Sequence, residues 1–310
     1  IEAAGELGIA RCLTKPITQS HLLNAITNAL GTARGDEETA DGLTVGVGAD
    51  FIPRKILLAE DGIVNQKVAV RLLEKRGHHV TAVADGQLAV EACQSDAYDV
   101  ILMDVQLPTL DGFAATAEIR RLEQARGGHI PIIAMTAHAM KGDRERCLDA
   151  GMDDYVSKPF RPMELFRAIE EASPGSESPP PAAVDAEEST HDQAEAADAA
   201  AFDRDRALAN VGGSESVLIE MAEMFADEGP KQLAEIEAAR ASGDLQQLQR
   251  AAHTLKGSAA LFAAAGATDA ARRIECMARE GNLDDYDEAW TELQEGMQHL
   301  QDALAAIRSS

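Results

Sequence analysis

Carboxylates, a hydroxyl and an ammonium recur just after short apolar runs in the middle of this 310-residue chain. Glu60 and Asp61 follow Ile56-Leu57-Leu58-Ala59, Asp104 follows Val100-Ile101-Leu102-Met103, Thr136 follows Ile130 to Met135, and Lys158-Pro159 comes soon after Tyr155-Val156. If those runs are parallel strands, their carboxyl ends share one edge of a sheet, where open α/β sheets bind ligands. Three acids, a hydroxyl and an ammonium then converge on one pocket. Close carboxylates raise one another's pKa unless a cation offsets them. Mg²⁺, a hard ion that keeps several waters and takes only one or two carboxylates directly, suits such a set. Any one of these acids alone reads as a turn or cap residue; their joint placement with Thr136 and Lys158 reads as a site.

A second candidate is His253. From Asp244 to Ala264 the apolar residues Leu245, Leu248, Ala252, Leu255, Ala259 and Phe262 recur at spacings of 3 and 4, one core stripe of a helix. His253 lies about 100° off Ala252, on a face shared with Gln249, Lys256, Gly257 and Ala260. That face is flat and nearly bare around the imidazole, so a partner could approach the ring closely. Lys256, one turn away, could steady an anionic group on a ring nitrogen. A histidine on a helix surface is ordinarily just a solvated polar residue, so this placement needs support from its surroundings. His138 and Met140 read as loop residues beside the Thr136 end. Met221, Met224 and Phe225 read as core of a helical bundle.

The elements that must position these groups differ between the two halves. The runs at Ile56 to Ala59, His79 to Val83, Val100 to Met103, Ile130 to Met135 and Tyr155-Val156 alternate with helical patterns such as Val64 to Arg76. Alternation of this kind implies a doubly wound α/β domain with a five-stranded parallel sheet, over residues 54–172. After residue 201 the strand signals vanish, and helical periodicity over 214–241, 244–264, 268–279 and 285–308 implies an all-α four-helix bundle at 202–310. Asp244 and Gln247 stand three apart, as a cap and its reciprocal partner do.

Residues 35–53 carry five acids and residues 173–201 seven, neither with a Lys or Arg. Together they hold nearly half of the net charge of −25. The second stretch, with Pro179, Pro180 and Pro181 and almost no large aliphatic residues, cannot bury enough apolar surface to offset ordering, and reads as a disordered linker. The first reads as a flexible linker; its Gly42, Gly46 and Gly48 lack the Lys-Ser/Thr and helix start of a phosphate loop. Shifting the chain by 143 residues aligns Gly8 with Gly151, Lys15-Pro16 with Lys158-Pro159, Leu22 with Leu165 and Ala25-Ile26 with Ala168-Ile169. Residues 1–34 therefore read as the last third of a second α/β domain, and the chain as one that starts mid-domain.

Such a negative charge argues against nucleic acid as a partner, because phosphate backbones are met by clustered Lys and Arg. No apolar run approaches the roughly 18 residues of a membrane span, so no direct membrane contact is expected. Cys12, Cys93, Cys147 and Cys276 are scattered without a metal-binding or disulfide spacing, which suits a cytoplasmic setting.

The strings "ILLAEDGIVNQKVA", "DVILMDVQLPTLDGF", "IPIIAMTAHAM" and "GMDDYVSKPF" resemble the receiver domains of two-component signalling, specifically those fused to hybrid histidine kinases. The likeness covers 54–172 and implies a flavodoxin-like fold. It implies that Asp104 accepts a phosphoryl group, that Glu60 and Asp61 with Asp104 hold Mg²⁺, and that Thr136 and Lys158 contact phosphoryl oxygens. It further implies that Tyr155 is a switch aromatic and that the Lys158–Pro159 bond is cis. In the residue 1–34 copy, Lys15 matches the lysine and Cys12 stands where the aromatic would be. "AAHTLKGSAA" resembles the motif of histidine phosphotransfer domains, whose histidine, here His253, carries the phosphoryl group; "RRIECMAREGNLDD" sits at that family's usual distance. One departure is Ala263, where a glycine is common.

The function these resemblances imply is a phosphorelay segment of a hybrid sensor histidine kinase. Phosphoryl passes from an upstream kinase histidine, in the same or another chain, to Asp104, then to His253, then to a downstream response regulator receiver. A parent protein would be anchored, if at all, through a region upstream of Ile1. A second reading is a docking module whose receiver controls a partner without passing phosphate through His253. No phosphate loop or ATP-binding domain fits between the assigned domains, so kinase activity is not expected of this segment.

Overall fold

The computed structural model describes residues 52–136, 141–172 and 202–308, all within one compact unit, Leu43–Ser310. The readings made for residues 1–34 and 173–201, and for His138 and Met140, lie outside the described residues, as do all but the last two residues of the 35–53 reading.

From Lys55 to Glu171 strands and helices alternate: β1 (Lys55–Ala59), α1 (Ile63–Lys75), β2 (His79–Val83), α2 (Gly86–Ser95), β3 (Val100–Asp104), α3 (Gly112–Arg126), β4 (Ile132–Thr136), α4 (Lys141–Asp149), β5 (Asp154–Ser157) and α5 (Pro162–Glu171). The five strands pair in parallel in the order β2-β1-β3-β4-β5. Because side chains alternate across a strand, Ile56, Leu58, Val100, Leu102, Ile133 and Met135 pack with α1 and α5, while Leu57, Ala59, Ile101, Met103, Ile132 and Ala134 pack with α2, α3 and α4. Both faces are covered, as the unbroken apolar strands require. β4 begins at Ile132 rather than Ile130: Pro131 has no N–H for the ladder, though its carbonyl accepts from Ile101 N at 2.9 Å. The Lys158–Pro159 bond is cis.

Local chemistry sets the helix starts around the strand ends. Asp85 accepts from Leu88 N and Asp111 from Ala114 N, satisfying amides that the first turn leaves without partners. At Gly112 a Cβ would lie 2.1 Å from the Asp104 carbonyl oxygen. Only glycine lets α3 begin against the strand end that carries Asp104.

The remaining elements are helices: α6 (Arg204–Asn210), α7 (Glu215–Ser242), α8 (Leu245–Leu261), α9 (Ala265–Glu280) and α10 (Tyr286–Arg308). The four long ones match the expected segments to within a few residues. The seven-residue α6 is too short to show a period, and was not expected. Met221 and Phe225 are fully buried, with the Phe225 and Phe262 rings 5.0 Å apart, so they are bundle core. Asp244 caps α8 by accepting from Gln247 N at 2.9 Å. Its own amide donates to the Ala239 carbonyl rather than to the Gln247 side chain.

Ala263 follows α8 with φ at +52°. An L residue with a Cβ is disfavoured there by roughly 1–2 kcal/mol, which is why glycine suits the position. Ala263→Gly is expected to stabilise the bundle by about 0.5–1 kcal/mol after glycine's extra chain entropy is subtracted. The urea midpoint measures this, and an unchanged or lower midpoint would show the positive φ to be harmless.

Candidate functional site

The strand topology puts the ends of β1, β3, β4 and β5 along one edge, and the acids meet there. Carboxylate oxygens of Glu60, Asp61 and Asp104 lie within 4.8 Å of one another. Glu60 and Asp104 are 2% and 1% exposed. The Lys158 ammonium bonds both Glu60 Oε2 and Asp104 Oδ2, and Gln106 N donates to Asp104 Oδ1 at 3.1 Å. Asn65 Nδ2 donates to Glu60 Oε1 at 3.2 Å.

Burial pushes Glu60 up to about 7; Lys158 pulls against the rise, and the charges of Asp104 and Asp61 add to it. Asp61 is raised as well, by burial first and then by Asp104. One ammonium against three carboxylates leaves an excess of negative charge in an all-oxygen donor set. A hard divalent cation would neutralise it, so these residues fit such an ion. Thr136 ends β4, its carbonyl accepting from Lys158 N at 2.7 Å. Tyr155 lies half-buried on β5, with the Arg144 guanidinium 6.0 Å from its ring centre.

On α8, His253 is only 6% exposed. Its Nδ1 lies 2.8 Å from Glu275 Oε1, and Lys256 Nζ lies 2.6 Å from Glu275 Oε2. Burial would raise the Glu275 carboxyl, but the hydrogen bond from His253 and the charges of His253 and Lys256 outweigh it and hold the group at about 2. An ionised carboxylate can only accept, so Nδ1 carries the proton that faces Glu275. The Lys256 ammonium is therefore committed to Glu275.

What covers the His253 face is the α/β domain. A cleft of about 130 Å³ is lined on one side by Glu60, Asp61, Asn65 and Lys158, and on the other by His253, Thr254, Lys256 and Arg272 among others. Asp104 and Thr136 are not among its lining residues, although Lys158 links Asp104 to it. Thr254, next to His253, donates to Asp61 Oδ2 at 2.9 Å. Arg71 on α1 pairs with Glu220 on α7 at 2.8 Å. At Gly257 a Cβ would lie 2.7 Å from Asn65 Nδ2, so a larger residue there would push that side-chain amide aside. Buried residues of α1 and α5 belong to one hydrophobic cluster with the bundle core.

Sequence reasoning brought Glu60, Asp61, Asp104 and Lys158 to one place and put His253 beside Lys256, as found. It missed Glu275, Thr254 and Asn65. A signal for Glu275 existed: it directly follows Ile274 in a buried stripe with Ala267, Ala271 and Ala278, where an acid needs a partner.

A doubly wound domain with acids and a lysine at its strand ends, apposed to a helical bundle presenting a carboxylate-held histidine, defines a pair of phosphotransfer modules. Residues 56–170 match the response regulator receiver domain and residues 220–308 the Hpt domain. The chain thus carries a receiver domain and an Hpt domain over those residues, the domain types of two-component phosphorelay signalling. It is 43% identical over 163 residues to hybrid signal transduction histidine kinase I of Dictyostelium discoideum, covering 51% of this chain and 9% of that protein. It is 34% identical over 169 residues to the signal transduction histidine-protein kinase BarA of Escherichia coli (strain K12), covering 54% of this chain and 18% of that protein. The chain spans less than a fifth of either relative. Among solved structures, it is similar to the receiver domain of sensor histidine kinase PA1611 from Pseudomonas aeruginosa PAO1, determined with a magnesium ion coordinated in the active site cleft. That match has 51% identity and a TM-score of 0.36, over 39% of this chain and 97% of the other. Among the described residues, no helix is long and apolar enough to cross a membrane.

Proposed function

We propose that this chain passes a phosphoryl group between Asp104 and His253 as one leg of a relay. It would receive the group from a kinase histidine in the same or another chain and deliver it from His253 to a separate response regulator. The observation that carries this reading is the shared cleft: Glu60, Asp61 and the Lys158 bonded to Asp104 face His253 across one 130 Å³ space, tied by the Thr254 to Asp61 hydrogen bond. We take 54–172 and 202–310 as the extents of the two domains, and a cytoplasmic setting as the one that suits them.

The residues have distinct roles. Asp104 is the carboxylate nucleophile that becomes an acyl phosphate. Lys158, already bonded to Asp104, neutralises charge on the transferred group, and Thr136 contacts one of its oxygens. Glu60 and Asp61, with Asp104, would hold Mg²⁺, which when bound supplies charge neutralisation at the phosphoryl oxygens. Tyr155 follows the movement of Thr136. Glu275 fixes the His253 ring with Nε2 free, and its negative charge stabilises the positive charge that appears on the imidazole when Nε2 is phosphorylated, as an ionised carboxylate does beside a catalytic imidazole. Lys256 holds Glu275 in place.

The purified chain, incubated with Mg²⁺ and a labelled small-molecule phosphodonor such as phosphoramidate, is expected to carry label in two linkages, an aspartyl phosphate at Asp104 and a phosphohistidine at His253. Peptide mapping under neutral conditions reads the two positions. Label confined to Asp104 would refute the relay and favour a docking switch.

A further inference from the structure

Three cationic side chains line the cleft, Lys158, Lys256 and Arg272. Two of them are already held by buried carboxylates: Lys158 by Glu60 and Asp104, and Lys256 by Glu275. Arg272 is different. It pairs at 3.2 Å with Asp269, one turn back on α9, and both side chains are more than half exposed. An exposed i,i+3 pair of that kind holds its guanidinium only weakly. Thr268, Arg272 and Glu275 stand at i, i+4 and i+7 on α9, one face of the helix. Thr268 and Arg272 line the cleft, and Glu275 bonds His253.

We propose that Arg272, rather than Lys256, is the bundle's cation for the phosphoryl group in transit. The inference rests on the Asp104 to His253 reading. In that step the bond from phosphorus to an Asp104 carboxylate oxygen breaks as a bond from phosphorus to His253 Nε2 forms. Nε2 supplies the electron pair, Asp104 leaves as a carboxylate, and the Nδ1 proton stays on the ring facing Glu275. Charge is spread over the three oxygens that neither attack nor leave. Lys158 serves them from the receiver wall. From the opposite wall, a planar guanidinium can give two parallel N–H bonds to those oxygens. Releasing Arg272 from Asp269 costs little, whereas withdrawing Lys256 would strand the buried Glu275 carboxylate.

The test follows label from aspartyl phosphate to phosphohistidine in the full chain, by rapid quench after phosphorylation with phosphoramidate and Mg²⁺. Arg272→Ala is expected to slow transfer by roughly 100-fold, in the range for removing one donor to a developing oxyanion. Arg272→Lys should recover at least a tenth of the unsubstituted rate, and Asp269→Asn should leave the rate unchanged. An Arg272→Ala rate within threefold of the unsubstituted chain would overturn the proposal. Equal slowing by Asp269→Asn would also overturn it, by showing that Arg272 acts through the helix pair. Absence of phosphohistidine in the unsubstituted chain would overturn the relay reading and this inference with it.

Discussion

A His253→Gln chain is expected to accept label at Asp104 and pass none of it on, while an Asp104→Asn chain accepts none from a small phosphodonor at that position. Glutamine fills much of the imidazole's space and can still donate to Glu275, but its amide nitrogen has no lone pair available for phosphorus. The fold should therefore survive while transfer falls by at least about 1,000-fold, as for loss of any obligatory nucleophile. Asparagine at 104 removes both the nucleophile and one of three carboxylates packed within 4.8 Å. Lys158 would keep Glu60 as a partner, so the Asp104→Asn pocket should stay assembled. Autoradiography of the two chains beside the parent separates the cases. Label reaching the downstream regulator through His253→Gln would remove the bundle from the relay.

The largest stability effect is expected at Glu275. This carboxylate is 2% exposed and is the shared partner of His253 and Lys256. Glu275→Ala leaves an ammonium that is only 8% exposed without its counter-charge, a loss of about 3–5 kcal/mol. The pKa gives a similar size: a fall from 4.5 to about 2 is worth roughly 3 kcal/mol in favour of the folded state at neutral pH. Because the folded value is depressed, that contribution is complete above about pH 4.5 and fades as pH drops toward 2. The urea midpoint of Glu275→Gln should therefore lie well below the parent's at pH 7 and approach it as acidity increases. The chain's one tryptophan, Trp290 on α10, stacks on Tyr286 and reports the bundle alone. A pH 7 difference under about 1 kcal/mol would mean that the triad is held together by something other than this charge.

The sheet was legible because parallel strands covered on both faces leave unbroken apolar runs, and because topology forces their carboxyl ends to one edge. That is how Glu60, Asp61, Asp104 and Lys158 could be placed together without any contact being visible. The stripe from Leu245 to Phe262 likewise fixed which face of α8 carries His253. Burial of that face was not legible. Periodicity within one helix says which residues avoid its own core, but a second domain meets α8 through Asn65 and Asp61, residues nearly 200 positions away. For the same reason Lys256 looked available when read from α8 alone; only the arrival of α9 puts Glu275 within 2.6 Å of it. The positive φ at Ala263 was hinted at only through the resemblance, in which a glycine is common at that position.

The cover over His253 also sets a tempo. One imidazole behind one small gap can face a single receiver at a time, and Asn65 already lies against Gly257 on that face. In the proposed relay, loading and unloading therefore cannot overlap: each molecule alternates between being filled by its tethered neighbour and being emptied by a freely diffusing one. The lifetime of the docked pair, set by contacts such as Arg71 with Glu220 and Thr254 with Asp61, becomes the interval between deliveries. Weakening those contacts would trade slower filling for quicker release, so output should be highest at some intermediate grip.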